Sequence, residues 1–100
     1  MKSISAMDLF QLLKRKESCQ LIDVREAFEH NDFNIGGDNI PMSEIFENIQ
    51  RLSPKQPVIV YCQKGIRSAI VIQRLEEKLG LTNLINLSGG VDAWRKDIND

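Results

Sequence analysis

Residues Tyr61 to Ser68 read YCQKGIRS, with hydrophobic sequence on both sides. If this segment joins a strand to a helix, its residue types suit a reactive thiol. A helix N-terminus leaves backbone N–H groups without intrahelical partners and carries the positive end of the helix dipole. A loop curling ahead of it adds inward-pointing amides as an anion nest. Gly65 permits the tight or left-handed backbone that such a curl requires. A sulfur at the mouth of this cradle is favoured as thiolate, because helix N-termini and neighbouring cations lower a cysteine pKa. Lys64 and Arg67 supply local positive charge. A buried core cysteine would need neither the glycine nor the two cations, so Cys62 is expected to be reactive toward an anionic substrate.

The reaction class narrows by what is missing. A Cys–His hydrolase needs a general base beside its nucleophile, and the one histidine, His30, lies in another segment. A dithiol redox site needs a second nearby cysteine, and the loop has none. A cysteine phosphatase uses a nucleophile, a ring of amides and an arginine; it fits the residue types if the loop is wide enough for a tetrahedral oxyanion. Sulfur transfer needs neither a base nor a second thiol. A thiolate takes a sulfane sulfur, becomes a persulfide, and passes the outer sulfur on. The amides stabilise the terminal charge by the logic of an oxyanion hole.

The elements that must hold this loop can be read along the chain. Ser5 caps a helix in which Leu9, Leu12 and Leu13 recur at helical spacing to about Lys16, with Asp8 in the capping-box position. Cys19 to Val24 reads as a buried strand, and 26–31 as a brief helix carrying Phe28. Asn34 to Pro41 is an irregular connection around a minimal strand. Ser43 is expected to cap a helix with Ile45, Ile49 and Leu52 on one face. Val58 to Tyr61 is the clearest strand. A helix opens near Arg67 and runs to Leu79, ending at Gly80. Leu84 to Leu87 is the last strand, and Gly89-Gly90 lead into a final helix with Trp94. Strands that are apolar on both faces and alternate with helices predict an α/β fold, a small parallel sheet of four to five strands covered by helices on both faces. Sites form along the rim where parallel strands end. Cys62, Asp23 to Glu26 and Gly89-Gly90 each follow a strand, so all three segments are expected there.

Composition fits this picture. The 100 residues suit one domain, 1–100. Hydrophobic residues make up 42% and charged residues 27%, a soluble globular balance. A net charge of -1 gives no footprint for nucleic acid or an acidic membrane. No apolar run approaches the roughly 20 residues of a membrane span, and the N-terminus does not read as a signal peptide. Two separated cysteines suggest reduced thiols and a cytoplasmic setting. One histidine excludes most zinc sites, and no cofactor is implied.

Four motifs, in order, carry a family resemblance. They are LIDVRE (Leu21 to Glu26), NIGGDNIPMSEI (Asn34 to Ile45), VIVYCQKGIRSA (Val58 to Ala69) and INLSGGVDAW (Ile85 to Trp94). The chain resembles a single-domain rhodanese over nearly its whole length. The resemblance implies a rhodanese-like fold and a sulfurtransferase, with Cys62 as persulfide carrier. It makes Gln63, Lys64, Gly65, Ile66, Arg67 and Ser68 the substrate loop. Four residues separate Cys62 from Arg67; rhodanese-type enzymes use this spacing, whereas the related phosphatases use one residue more. The implied donor is a small anion such as thiosulfate, or a protein persulfide. Asn34, Gly36 and Asp38 stand where the family usually has His, Pro and Ala. The NIGG and INLSGGVDAW stretches resemble rhodanese domains attached to adenylyltransferases of molybdopterin or thiamin synthesis, which would make the acceptor a sulfur-carrier protein.

Around the loop, Asp23 and Arg25 are expected to brace it from a second layer, pairing with each other or with its backbone. Arg67 is expected to bind the anion or brace the loop, and Lys64 to steer an anionic donor or stay solvated. Ser68 either caps the helix or donates to the persulfide. Cys19 and Trp94 are expected in packing roles, His30 on the surface of a helix, and Gly89 and Gly90 as backbone conformers.

Overall fold

The computed structural model describes residues 1–98. Five strands form one sheet: β1 (Lys2–Ile4), β2 (Gln20–Asp23), β3 (Asp38–Asn39), β4 (Val58–Tyr61) and β5 (Leu84–Leu87). Their order is β1-β5-β4-β2-β3, and every neighbouring pair is parallel. Four α-helices accompany them: α1 (Ala6–Lys14), α2 (Ala27–Asp32), α3 (Ile66–Leu79) and α4 (Gly90–Asp97). None of the helices among the described residues is long and apolar enough to cross a membrane.

β4 is central, and all four of its residues are buried. Its side chains alternate between two cores, as the two-residue period of a strand demands. Val58 and Val60 enter the core that α3 covers with Val71, Ile72 and Leu75. Ile59 and Tyr61 enter the opposite core, with Leu9 of α1 and Val91 of α4. The expected two-faced parallel sheet is what forms. β1 was not anticipated. It is an edge strand of three residues, pairing Lys2, Ser3 and Ile4 with Ile85, Asn86 and Leu87. Two of its residues are exposed; short polar edge strands carry little hydrophobic signal.

The helix expected from Ser43 is a second correction. The chain forms two 3-10 segments instead, Met42–Glu44 and Phe46–Arg51, and Ser43 caps neither. Asn48 breaks the run with φ −125°, and its side-chain amide donates to the Glu44 carbonyl at 2.8 Å. An asparagine that bonds nearby backbone competes with a regular helix. Ile45 and Leu52 are buried all the same, with Ile49 packed against that core, so the apolar spacing holds although the helix type differs.

Three strand ends meet at one rim. The Val24 amide donates to the Tyr61 carbonyl at 3.0 Å, and the Val91 amide to the Cys62 carbonyl at 2.9 Å. The segments after β2, β4 and β5 therefore converge, as their positions in the sequence require.

Candidate active site

Cys62 continues the alternation of β4 and faces α3, leaving the residue only 1% exposed. The chain then turns through Gly65, whose φ of 92° makes it a left-handed N-cap for α3. This curl brings amides onto the sulfur. Sγ accepts from the Gly65 N–H at 3.1 Å and from the Ser68 N–H at 3.3 Å, and the Ser68 hydroxyl lies 3.3 Å away. Burial pushes the Cys62 thiol up, but the Ser68 hydroxyl and the amides of Ser68, Gly65 and Lys64 outweigh it, and the net shift is downward. Cys19 moves the other way, pushed up by burial and by Glu17. The two thiols thus differ in the direction that separates a reactive cysteine from a packing one.

Ser68 does not cap α3, whose N-cap is Gly65, and its side chain lies beside the sulfur. Its hydroxyl donates to Asn86 Oδ1 at 2.6 Å, and Asn86 Nδ2 donates to the Gly65 carbonyl at 3.2 Å. A hydroxyl has one proton and two acceptor lone pairs. With the thiol protonated, S–H can donate to Ser68 while Ser68 donates to Asn86. With the thiolate formed, the same hydroxyl proton is within reach of sulfur. Asn86 was not singled out in the sequence; a lone polar residue inside INL was the available signal.

The loop carbonyls are held from the other side by α4. The amides of Val91 and Asp92 donate to the carbonyls of Cys62 and Gln63 at 2.9 and 3.0 Å. This holds those carbonyls toward α4, while Gly65 and Ser68 supply the amides on the sulfur. Gly90 makes the approach feasible: it has φ 57°, and a Cβ there would overlap both carbonyls. The expected backbone role of Gly90 therefore includes direct docking on the loop.

Asp23 and Arg25 pair with each other, one of the two expected arrangements. Both are buried, at 0% and 2% exposure. Arg25 Nη2 pairs with Asp23 Oδ2 at 2.8 Å, and Nη1 donates to Gln63 Oε1 at 2.9 Å. Gln63 in turn donates to Asp92 Oδ1 at 2.5 Å. The brace acts on the loop through the Gln63 side chain and not through its backbone. His30 needs a correction: its Nδ1 lies 2.9 Å from Asp23 Oδ2 and its side chain is 18% exposed. The capping box of α2, with Glu26 at the N-cap and Glu29 three residues on, fixes the helix so that His30 turns inward.

Arg67 forks onto Glu29, with both Nη–Oε distances 2.9 Å. Glu29 is a partner that the local sequence does not indicate. Arg67's hydrogen bonds draw the Glu29 carboxyl down to about 2, with burial opposing and the Glu26 backbone and nearby arginines assisting. A carboxyl whose pKa is lower in the folded state stabilises the fold fully above its unfolded value of 4.5. That contribution fades as pH falls from there toward about 2. Glu29→Gln is expected to be less stable than wild type at neutral pH by roughly 1 kcal/mol, a modest figure because Arg67 is partly solvated. The difference should vanish near pH 2, which urea unfolding midpoints across that window would show.

Cys62, Gln63, Lys64, Ile66 and Arg67 line a pocket of about 380 Å³. Lys64 and Ile66 are exposed at its rim. The pocket brings together the Cys62 sulfur, the amides of Gly65 and Ser68 that it accepts from, and the cationic side chains of Lys64 and Arg67. His30, occupied with Asp23, makes no hydrogen bond to the sulfur.

Comparison with known proteins gives a consistent picture. Residues 6–97 match the family described as Rhodanese-like domain. The chain is 41% identical over 76 residues to the uncharacterized protein YqhL of Bacillus subtilis, covering 75% of this chain and 60% of that one. It is 30% identical over 95 residues to the thiosulfate sulfurtransferase GlpE of Coxiella burnetii, covering 94% and 87%. The crystal structure of a rhodanese-related protein from Thermoplasma volcanium superposes with a TM-score of 0.85 at 33% identity, covering 100% and 96%.

Proposed function

The chain belongs to the rhodanese-like domain family, and from that premise we propose that it transfers sulfane sulfur through a persulfide on Cys62. The observation that carries this reading is the Cys62 sulfur itself, which accepts two loop amides and has no general base bonded to it. In the first half-reaction the thiolate attacks the outer sulfur of a donor such as thiosulfate. The donor's S–S bond breaks, sulfite departs with the electron pair, and Cys62 holds the outer sulfur. In the second, a thiophilic acceptor attacks that sulfur and Cys62 leaves as thiolate. The loop amides from Gln63 to Ser68 hold the negative sulfur in each resting state. Lys64 draws the anionic donor to the rim, and Asp23 and Arg25 keep Gln63 in place. No metal or organic cofactor takes part in these steps.

The four residues between Cys62 and Arg67 count against a phosphatase, whose related loops are one residue longer. One observation favours a second reading, delivery between proteins. Ile66 is 65% exposed at the pocket mouth beside Lys64, a surface suited to a protein persulfide donor or a sulfur-carrier acceptor. Intact mass of the reduced protein before and after thiosulfate tests the proposal. A gain of one sulfur atom, removed by cyanide, is the expected result. No gain from thiosulfate but a gain from a persulfidated protein would select the second reading. No gain from either, with hydrolysis of an aryl phosphate, would overturn both.

A further inference from the structure

The Ser68 hydroxyl has one proton to give and two acceptors within reach. Its oxygen lies 3.3 Å from Cys62 Sγ and 2.6 Å from Asn86 Oδ1. The two ends of the Asn86 amide are assigned by their surroundings. Its register with Val60 of β4 turns the side chain to the face that α3 covers. There Nδ2 donates to the Gly65 carbonyl at 3.2 Å, which leaves Oδ1 facing Ser68. Among the described residues, Ser68 is the one side chain that donates to that Oδ1. Ser68 and Asn86 are 0% and 9% exposed, so solvent is a poor replacement for either partner. An acceptor deprived of its donor at such depth is costly. The charged groups on the elements packed around the loop are Lys64, Arg67 of α3 with Glu29 of α2, Asp23 with Arg25 after β2, and Asp92 of α4. Among the described residues none of their side chains hydrogen-bonds Ser68 or Asn86.

We propose that Asn86 is a positioning residue that competes with Cys62 for the Ser68 proton, so that the hydroxyl serves the sulfur as an acceptor before ionisation and as a donor only by giving up Asn86. The consequence for catalysis rests on the sulfur-transfer reading above; the competition itself does not. In the thiol state, S–H donates to Ser68 and Ser68 donates to Asn86. Ionisation sends the thiol proton to solvent. The hydroxyl then turns to the sulfur, and Asn86 Oδ1 loses its donor. That loss offsets part of what the hydroxyl gives the thiolate, so Asn86 opposes the amide cradle. A thiolate of lower pKa is a weaker nucleophile and a better leaving group. Cys62 must be each in turn, first attacking the outer sulfur of the donor and then departing from it. Asn86 keeps it the stronger nucleophile.

The test measures the pH profile of Cys62 alkylation by iodoacetamide in wild type, Asn86→Leu and Asn86→Val. Leucine is close to asparagine in shape and valine suits a strand, so one folded variant suffices. Both remove Oδ1 and free the Ser68 proton for sulfur. The profile is expected to move to lower pH by about one unit, the scale of one hydrogen bond to a charged group. Where the thiol is fully ionised, the alkylation rate should fall by about threefold, because the thiolate is the weaker nucleophile. A merely structural role predicts the opposite shift, since a loosened loop takes amides from the sulfur. In Ser68→Ala no proton is contested, so adding Asn86→Leu should leave the profile where Ser68→Ala puts it. Sulfur transfer is followed by intact mass. A wild type that gains no sulfur from thiosulfate counts against the sulfur-transfer reading, and the alkylation result stands apart from it. With loading established, Asn86→Leu should load about threefold more slowly at high pH and discharge to cyanide faster than wild type. A profile unmoved or moved upward, an equal shift in the Ser68→Ala background, or two half-reactions that change in the same direction would each overturn the role of Asn86.

Discussion

Cys62→Ser is expected to fold normally and to lose sulfur transfer by a factor on the order of 10⁴ or more. Serine is close to isosteric, and its oxygen can accept from the amides of Gly65 and Ser68 that now meet sulfur. The scaffold keeps its partners, so stability should change little. The chemistry should not survive. A hydroxyl does not ionise in the range where this thiol does, and it cannot carry a persulfide. The mutant also isolates Cys19. Burial and Glu17 hold that thiol up, so iodoacetamide at neutral pH should modify wild type rapidly at one site and the mutant only slowly. Thiosulfate should add one sulfur to wild type and none to Cys62→Ser. A mutant that still gained sulfur would move the carrier to Cys19 and end the case for Cys62. Rapid alkylation of the mutant would show that the two thiols do not differ as their surroundings imply.

What the sequence disclosed follows from how locally each feature is determined. Val58 to Tyr61 is apolar at every position because β4 is covered on both faces, so its place was legible. Glycine and two cations beside Cys62 are local features, and the amide cradle followed from them. Partners chosen across the fold were not legible. Arg67 forks onto Glu29, 38 residues away, and nothing near either residue specifies the other. Ser68 meets Asn86 only because β5 lies beside β4 in a register that sets Val60 against Asn86. His30 looked like a surface residue because its segment is short and polar; its contact with Asp23 comes from where α2 packs. β1 gave no signal because an edge strand with exposed side chains needs no apolar pattern. The segment from Met42 to Arg51 showed the reverse case, in which the apolar spacing was readable and one asparagine changed the helix that carried it.

Gly90→Ala is expected to cost far more stability than Gly80→Ala, although both glycines are left-handed. Their φ values are similar, 57° and 65°, so an alanine pays a comparable backbone strain at each, about 1 kcal/mol. The surroundings differ. A Cβ at Gly80 meets nothing within 4 Å, whereas at Gly90 it would overlap the carbonyls of Cys62 and Gln63. Those carbonyls accept from the Val91 and Asp92 amides, so relieving the overlap means drawing α4 away from the loop. The total loss at Gly90 is expected to be about 3 kcal/mol or more, read from denaturant midpoints. The excess over Gly80→Ala measures the close approach of α4, free of the φ cost. The thiol supplies a second readout. If α4 sets the direction of the loop carbonyls, the amides on Sγ weaken when it retreats. The pH profile of Cys62 alkylation should then move to higher pH in Gly90→Ala and stay in place in Gly80→Ala. Equal losses at the two sites would mean that α4 slides off the loop at little cost. An unmoved alkylation profile in Gly90→Ala would mean that the cradle holds its shape through Gly65 and Ser68 alone.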